Sequence, residues 1–138
     1  MKVKVMIEDG VKLPTRAHKQ DAGADLYSPV SITVEPHSCA VIDTGVHIAI
    51  PDGLCGLLVS KSGLNVNHDI TSTGLIDAGY TGSVRVKLYN QGNTPYHVSE
   101  GDKISQIVIL PVVLCDFIQV DEFEATERGS GGFGSSGR

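Results

Sequence analysis

The chain reads as an all-β domain with a flexible Gly/Ser-rich C-terminal arm. Three observations predict the all-β class, as a sandwich, jelly roll or barrel: repeated apolar–polar alternation with period two, turn residues at regular intervals, and the scarcity of helical periodicity. Val3, Val5 and Ile7 alternate with Lys2, Lys4 and Met6, and Ile32 and Val34 alternate with Ser31 and Thr33. Val46, Ile48 and Ile50 form a third alternating run, and Val84, Val86 and Leu88 a fourth. Each reads as a half-buried strand. Leu54 to Val59 and Ile104 to Leu110 are nearly continuous apolar runs, as strands buried on two sides would be. Between them lie Ser28-Pro29, Glu35-Pro36, Pro51-Asp52-Gly53, Asn90-Gln91-Gly92-Asn93 and Glu100-Gly101-Asp102, which read as turns. One short helix is expected near Ser62–Asn67, capped by Ser60 or Ser62.

At 138 residues, one domain suffices, and such a chain buries enough surface to need no disulfide or structural metal. A domain over 1–125 and an arm over 126–138 follow from the change in composition. The net charge of −5 argues against general nucleic-acid binding, which needs a basic face to displace phosphate counterions. It leaves room for a small phosphorylated ligand. Cys39, Cys55 and Cys115 lie far apart and lack metal-ligand spacing, which favours a reducing compartment. No apolar leader core or membrane-length apolar stretch occurs, so a cytoplasmic protein without membrane attachment is expected. His18, His37, His47, His68 and His97 show no metal-binding pattern and read as turn or surface residues.

Three segments look like sites as well as packing. In Ala22-Gly23-Ala24-Asp25-Leu26-Tyr27-Ser28, the aspartate is either a turn residue bonding its own backbone or a functional carboxylate. Lys61-Ser62-Gly63-Leu64 follows an apolar strand and places a lysine, a hydroxyl and free amides where a strand ends. That arrangement suits an anion, and a plain polar cap accounts for it equally well. In the third, Gly74-Leu75-Ile76-Asp77-Ala78-Gly79-Tyr80-Thr81-Gly82, the carboxylate lies within a glycine-opened hairpin loop. Turn satisfaction explains Asp77, and close approach of a ligand to the open backbone explains the glycines. The arm, Thr126 to Arg138, holds five glycines and three serines with Phe133 as its one large apolar group. Composition favours an entropic tail. Arg128 and Phe133 favour a lid that orders over a ligand.

Together with Gly101-Asp102-Lys103-Ile104-Ser105-Gln106 and the run from Arg128 to Gly137, these segments form five ordered motifs. In that order and spacing the chain resembles the homotrimeric dUTP pyrophosphatases (dUTPases) over nearly its whole length. The resemblance implies a distorted jelly roll, three chains per particle and active sites shared between subunits. It implies hydrolysis of dUTP to dUMP and pyrophosphate, lowering dUTP and supplying dUMP for thymidylate synthesis. Asp77 is then the general base for the water that attacks the α-phosphorus. Tyr80 stacks beneath the deoxyribose and leaves no room for a 2′-hydroxyl. The backbone from Gly74 through Ile76 to Gly79 pairs with the uracil edge, rejecting the thymine methyl by clash and cytosine by mispairing. Lys61, Ser62, the Gly63 amide and Gln106 serve the phosphate chain, and Arg128 the γ-phosphate. Phe133 stacks on uracil, and Gly134 and Ser135 close over the phosphates. The implied cofactor is Mg²⁺, held mainly by phosphate oxygens and water, with Asp25 reaching it through bound water.

The chain departs from the pattern at Lys61, where the family commonly has Arg, at Ser83, where a Glu usually follows Gly82, and at Thr71, which is left out of the site. Against the related dCTP deaminases stands Val86-Lys87-Leu88-Tyr89-Asn90, where Lys87 replaces the glutamate that deamination needs. A nucleotide-operated regulatory protein and an inert scaffold are the two readings from other classes. The cluster Asp121, Glu122, Glu124 and Glu127 reads as a solvated approach to the arm.

Overall fold

The computed structural model describes residues 1–132, so Phe133, Gly134 and Ser135 lie outside the described residues. The strands are β1 (Lys4–Ile7), β2 (Ala24–Tyr27), β3 (Ile32–Val34), β4 (Ser38–Ala49), β5 (Leu54–Val59), β6 (Ile70–Ile76), β7 (Ser83–Asn90), β8 (Tyr96–Val98) and β9 (Lys103–Pro111), with helix α1 (Ser62–His68) between β5 and β6. Seven strands form one curled antiparallel sheet in the order β1-β4-β7-β6-β5-β9-β2, and β3 pairs with β8 in a second small sheet. This is the jelly-roll-like architecture that the resemblance implies, and one of the three that the alternation allows.

The alternating residues form the core. Val46, Ile48, Val84, Val86 and Leu88 are all buried, as are Leu58 and Ile107 from the two apolar runs. β5 lies between β6 and β9, and β9 between β5 and β2. Along β5, residues of both faces are buried or half-buried, which is why that run does not alternate cleanly. β1 is an edge strand carried by β4 alone, so Met6 and Ile7 remain exposed.

Three strands have no alternating or apolar run to announce them. Ala24–Tyr27, Ile70–Ile76 and Tyr96–Val98 are strands, and β4 extends back to Ser38. Their small and polar residues conceal the alternation, and pairing with a neighbour supplies the regularity instead. The helix forms where expected, but its N-cap is Lys61 and no side chain caps it. Ser60 is diverted across the sheet: its Oγ donates to the Ser72 carbonyl (3.1 Å) and accepts from the Ser72 amide (2.8 Å). Asp69, at φ 55°, ends the helix in the left-handed region, with its amide bonded to the Asn65 carbonyl.

Candidate active site

Four strands bring the polar residues into line. Asp25 on β2 stands opposite Gln106 on β9, Gln106 opposite Val59 on β5, and Val59 opposite Thr73 on β6. Immediately after Val59 the chain leaves the sheet through Ser60 and Lys61 into α1. A polar seam pins this exit. The Ser72 and Ser105 hydroxyls are buried and 2.8 Å apart, Ser105 Oγ donates to the Val59 carbonyl (3.1 Å), and Gln106 Nε2 donates to the Ser60 carbonyl (3.1 Å). Every buried side-chain polar atom among the described residues has a partner. The Lys61-Ser62-Gly63 segment is therefore set by hydrogen bonds to three strands, while Ser62 and Gly63 stay exposed and open to a ligand.

Asp25 is not in a turn. It sits in β2 with 6% of its surface exposed, and two ammonium groups hold its carboxylate. Lys61 Nζ bonds Oδ1, and Lys103 Nζ lies 2.7 Å from Oδ2. Burial pushes the Asp25 carboxyl up, but hydrogen bonds from Lys103 and Lys61, with their charges, outweigh it and hold the pKa below the usual aspartate value. The same contact raises the Lys103 ammonium. Gly23, just before β2, is required by the approach of Gln106: a Cβ there would fall 2.8 Å from Gln106 Cδ.

The Asp77 segment occupies the far end of β6. Asp77 is exposed at the head of a turn closed by the Tyr80 amide on the Asp77 carbonyl (3.3 Å). The Tyr80 ring folds back over the turn and its hydroxyl donates to the Ser83 carbonyl (3.1 Å). A Cβ at position 82 would lie 2.6 Å from Tyr80 Cζ, so the ring holds this position only while residue 82 is glycine. Leu75, Ile76, Asp77, Tyr80, Ser83 and Arg85 line a cleft of about 220 Å³ here. Gly74 does not face this cleft freely; a Cβ there would meet Leu58 Cδ1 at 3.1 Å. Behind the hairpin, Asp43 accepts from the Ser83 hydroxyl and pairs with Arg85 (3.4 Å), and His47 contacts the Thr81 carbonyl (2.8 Å).

Within one chain the expected site residues form two groups. Asp25, Lys61, Ser62, Gly63 and Gln106 converge at one end of the β5–β6 pair. Asp77, Ile76 and Tyr80 stand at the other, because Val59 is opposite Thr73 and Gly56 opposite Ile76. Three ladder steps and the flanking residues separate the groups by roughly 15 Å, at about 3.4 Å per residue. Arg128 joins neither group: its Nε donates to the Gly131 carbonyl (3.0 Å) in its own exposed turn. Lys103, Ser72, Ser105, Asp43 and His47 have no motif-like signal of their own, although Lys103 and Ser105 lie inside the Gly101–Gln106 segment.

Among the described residues no three His, Cys, Asp or Glu side chains cluster as a metal site. Both oxygens of Asp25 are held by ammonium groups, so the carboxylate fits a cation that brings phosphate and water as its ligands only through that water shell. It does not fit an all-protein cage.

A curled antiparallel roll with a hydrogen-bonded polar strand exit and an exposed carboxylate hairpin defines a class of protein, a small jelly-roll-like β domain. The chain belongs to the dUTPase family, whose model matches residues 9–137. It is 43% identical over 142 residues to the deoxyuridine 5′-triphosphate nucleotidohydrolase of Tropheryma whipplei strain Twist, covering 100% of this chain and 97% of that one. To the enzyme of the same name from Leifsonia xyli subsp. xyli it is 42% identical over 130 residues, 91% of this chain and 86% of the relative. The structure of Staphylococcus bacteriophage 80alpha dUTPase with dUpNHpp superposes with a TM-score of 0.92 at 34% identity, covering 99% of each chain. A dUTPase from phage phi11 of S. aureus, 32% identical with a TM-score of 0.83 over 91% of this chain and all of that one, is described as coordinating a structural Mg(II) ion.

Proposed function

We propose that the chain is a dUTP pyrophosphatase that hydrolyses dUTP to dUMP and pyrophosphate, lowering dUTP and supplying dUMP for thymidylate synthesis. Beyond family membership, one observation carries the reading: an exposed carboxylate, Asp77, stands beside a tyrosine ring locked over the same hairpin. Uracil pairs with the backbone of the hairpin from Gly74 through Ile76 to Gly79, and Tyr80 packs beneath the deoxyribose, excluding a 2′-hydroxyl. Asp77 takes a proton from water as its oxygen bonds the α-phosphorus. The bond from that phosphorus to the bridging oxygen breaks, and pyrophosphate departs with the electron pair.

Ser62, the Gly63 amide, Gln106 and Arg128 receive the phosphate chain, and Phe133, Gly134 and Ser135 complete the lid over residues 126–138. Lys61 is already committed to Asp25 and reaches a phosphate only by releasing it. The Mg²⁺ used by the family would supply charge neutralisation on the triphosphate, with Asp25 meeting it through its water shell.

The working particle is a homotrimer with shared sites. Two features support this: the hairpin and the strand exit lie at opposite ends of one chain, and Leu114, Phe117, Ile118 and Phe123 are each more than 80% exposed. No helix among the described residues is long and apolar enough to cross a membrane. The cytoplasm is the compartment in which the substrate and three free cysteines agree.

The deciding measurement is pyrophosphate release from dUTP, dCTP, dTTP and UTP in the presence of Mg²⁺. Strong preference for dUTP is expected, with turnover reduced about 10²- to 10⁴-fold by Asp77→Asn. Equal turnover of all four nucleotides, or of none, overturns the reading.

A further inference from the structure

The hairpin that holds Asp77 and Tyr80 is exposed along most of its length, yet two side chains of β4 reach it, Asp43 at Ser83 and His47 at Thr81. β4 and β7 slip in register just behind it: Asp43 pairs with Arg85 and His47 with Ser83, so four residue steps on β4 oppose two on β7. The bulge is built, not frayed. Thr44 is fully buried, its hydroxyl donates to the Val84 carbonyl (2.6 Å) and accepts from the Val46 amide (3.3 Å), and Gly45 takes φ +65° with its amide on Asp43 Oδ1 (3.2 Å). Such bulges re-aim the next side chain. Here the side chain is His47, whose Nδ1 reaches the Thr81 carbonyl at 2.8 Å. Its Nε2 lies 3.4 Å from Glu8 Oε1, at the end of β1.

We infer that His47 is a positioning residue for the hairpin, fixing Thr81, and through it Tyr80 and Asp77, to β4 and to Glu8 beyond β1. The inference rests on the reading of Asp77 and Tyr80 given above. A carbonyl oxygen can only accept, so Nδ1 carries the proton and Nε2 faces a carboxylate. The imidazolium form donates to both partners; the neutral ring satisfies one and turns a lone pair toward the other. The backbone bond to Thr81 and the contacts with Glu8 and Asp43 raise the His47 pKa above its ordinary value. The charged groups around it are Glu8 and Lys4 from β1, Asp43 from β4 and, paired with Asp43, Arg85 from β7. The grip is therefore tightest below the ordinary histidine value of 6.5 and relaxes as pH rises through the raised one.

The test uses the full chain and three variants: His47→Phe, which removes both ring nitrogens, His47→Asn, which keeps a donor near Nδ1 but cannot titrate, and Glu8→Gln. Amide exchange of residues 78–83, measured without substrate, is expected to accelerate about three- to tenfold in His47→Phe, the loss of one hydrogen bond. His47→Asn is expected to restore most of it. The KM for dUTP is expected to rise with pH in the wild type between about pH 6 and 9 more than in His47→Asn. Imidazole NMR is expected to show Nδ1 protonated and a lower His47 pKa in Glu8→Gln. Wild-type exchange in His47→Phe, or Asn no better than Phe, overturns the inference; an unchanged His47 titration in Glu8→Gln overturns its Glu8 limb. Absence of dUTP cleavage by the wild type overturns the proposed function alone, because exchange and titration are read on the free protein.

Discussion

Asp25 illustrates how far a residue's role departs from its local sequence. A short aspartate segment after Gly23 reads equally well as a turn or a site, and nothing nearby announces Lys61 or Lys103 as partners. The two lysines arrive from 36 and 78 positions away, one at a strand exit and one at the start of β9, because β2 pairs with β9. Asp25 has a lowered pKa, so its contribution to stability is present above the ordinary value of 3.8 and is lost as pH falls through the folded value. Acid unfolding of Asp25→Asn should therefore lose the part of the wild-type transition that lies near and below pH 4. At neutral pH the same substitution leaves two ammonium groups without their anion. It should cost roughly 2–3 kcal/mol by denaturant melt, the lower side of a buried-pair deletion because both lysines can turn to water. Lys103 behaves with the opposite sign: its raised pKa gives stability that persists below the ordinary lysine value and fades as pH climbs through the folded one.

At the scale of elements, the strand exit depends on a seam of small polar side chains. Ser105 is fully buried and links Val59 to Ser72, so Ser105→Ala leaves a buried carbonyl and a buried hydroxyl short of a partner. A loss of about 1–3 kcal/mol in thermal or denaturant melts is expected, with weaker dUTP binding as the exit loosens. Leu88→Ala, on the buried face of β7, should cost about 2–5 kcal/mol and change KM less than Ser105→Ala does, because it removes apolar packing and no hydrogen bond of the seam. Comparing the two separates general stability from site geometry. β7 was legible because its residues alternate; β6 was not, because Thr71, Ser72, Thr73 and Gly74 carry no apolar period. The expected serine caps on α1 failed for a related reason: a serine hydroxyl bonds whichever backbone comes nearest, and for Ser60 that is β6.

For the whole molecule, assembly and the arm are the open quantities. Beyond Pro111 the described chain forms neither helix nor strand, and most of its apolar side chains face outward. Light scattering should give the mass of three chains, and Phe117→Asp with Ile118→Asp should shift it toward one. A single-chain mass for the wild type counts against shared sites. Removing residues from Arg128 onward should leave the melting temperature and assembly unchanged while most turnover is lost; full activity without the arm refutes the lid.

From its sequence the protein is recognisable as an all-β roll, with most core strands, the position of the helix, the family and the identities of the expected site residues. Those depend on periodicity, turn chemistry and ordered short motifs, all of which are local along the chain. The tertiary structure decided which of these residues meet. It placed Asp25 in a strand between two lysines, diverted Ser60 from the helix to β6, set Asp77 and Lys61 at opposite ends of one hairpin and aimed His47 at Thr81. Each outcome follows from strand pairing and register, which join residues tens of positions apart, and no local pattern encodes the distance across a sheet.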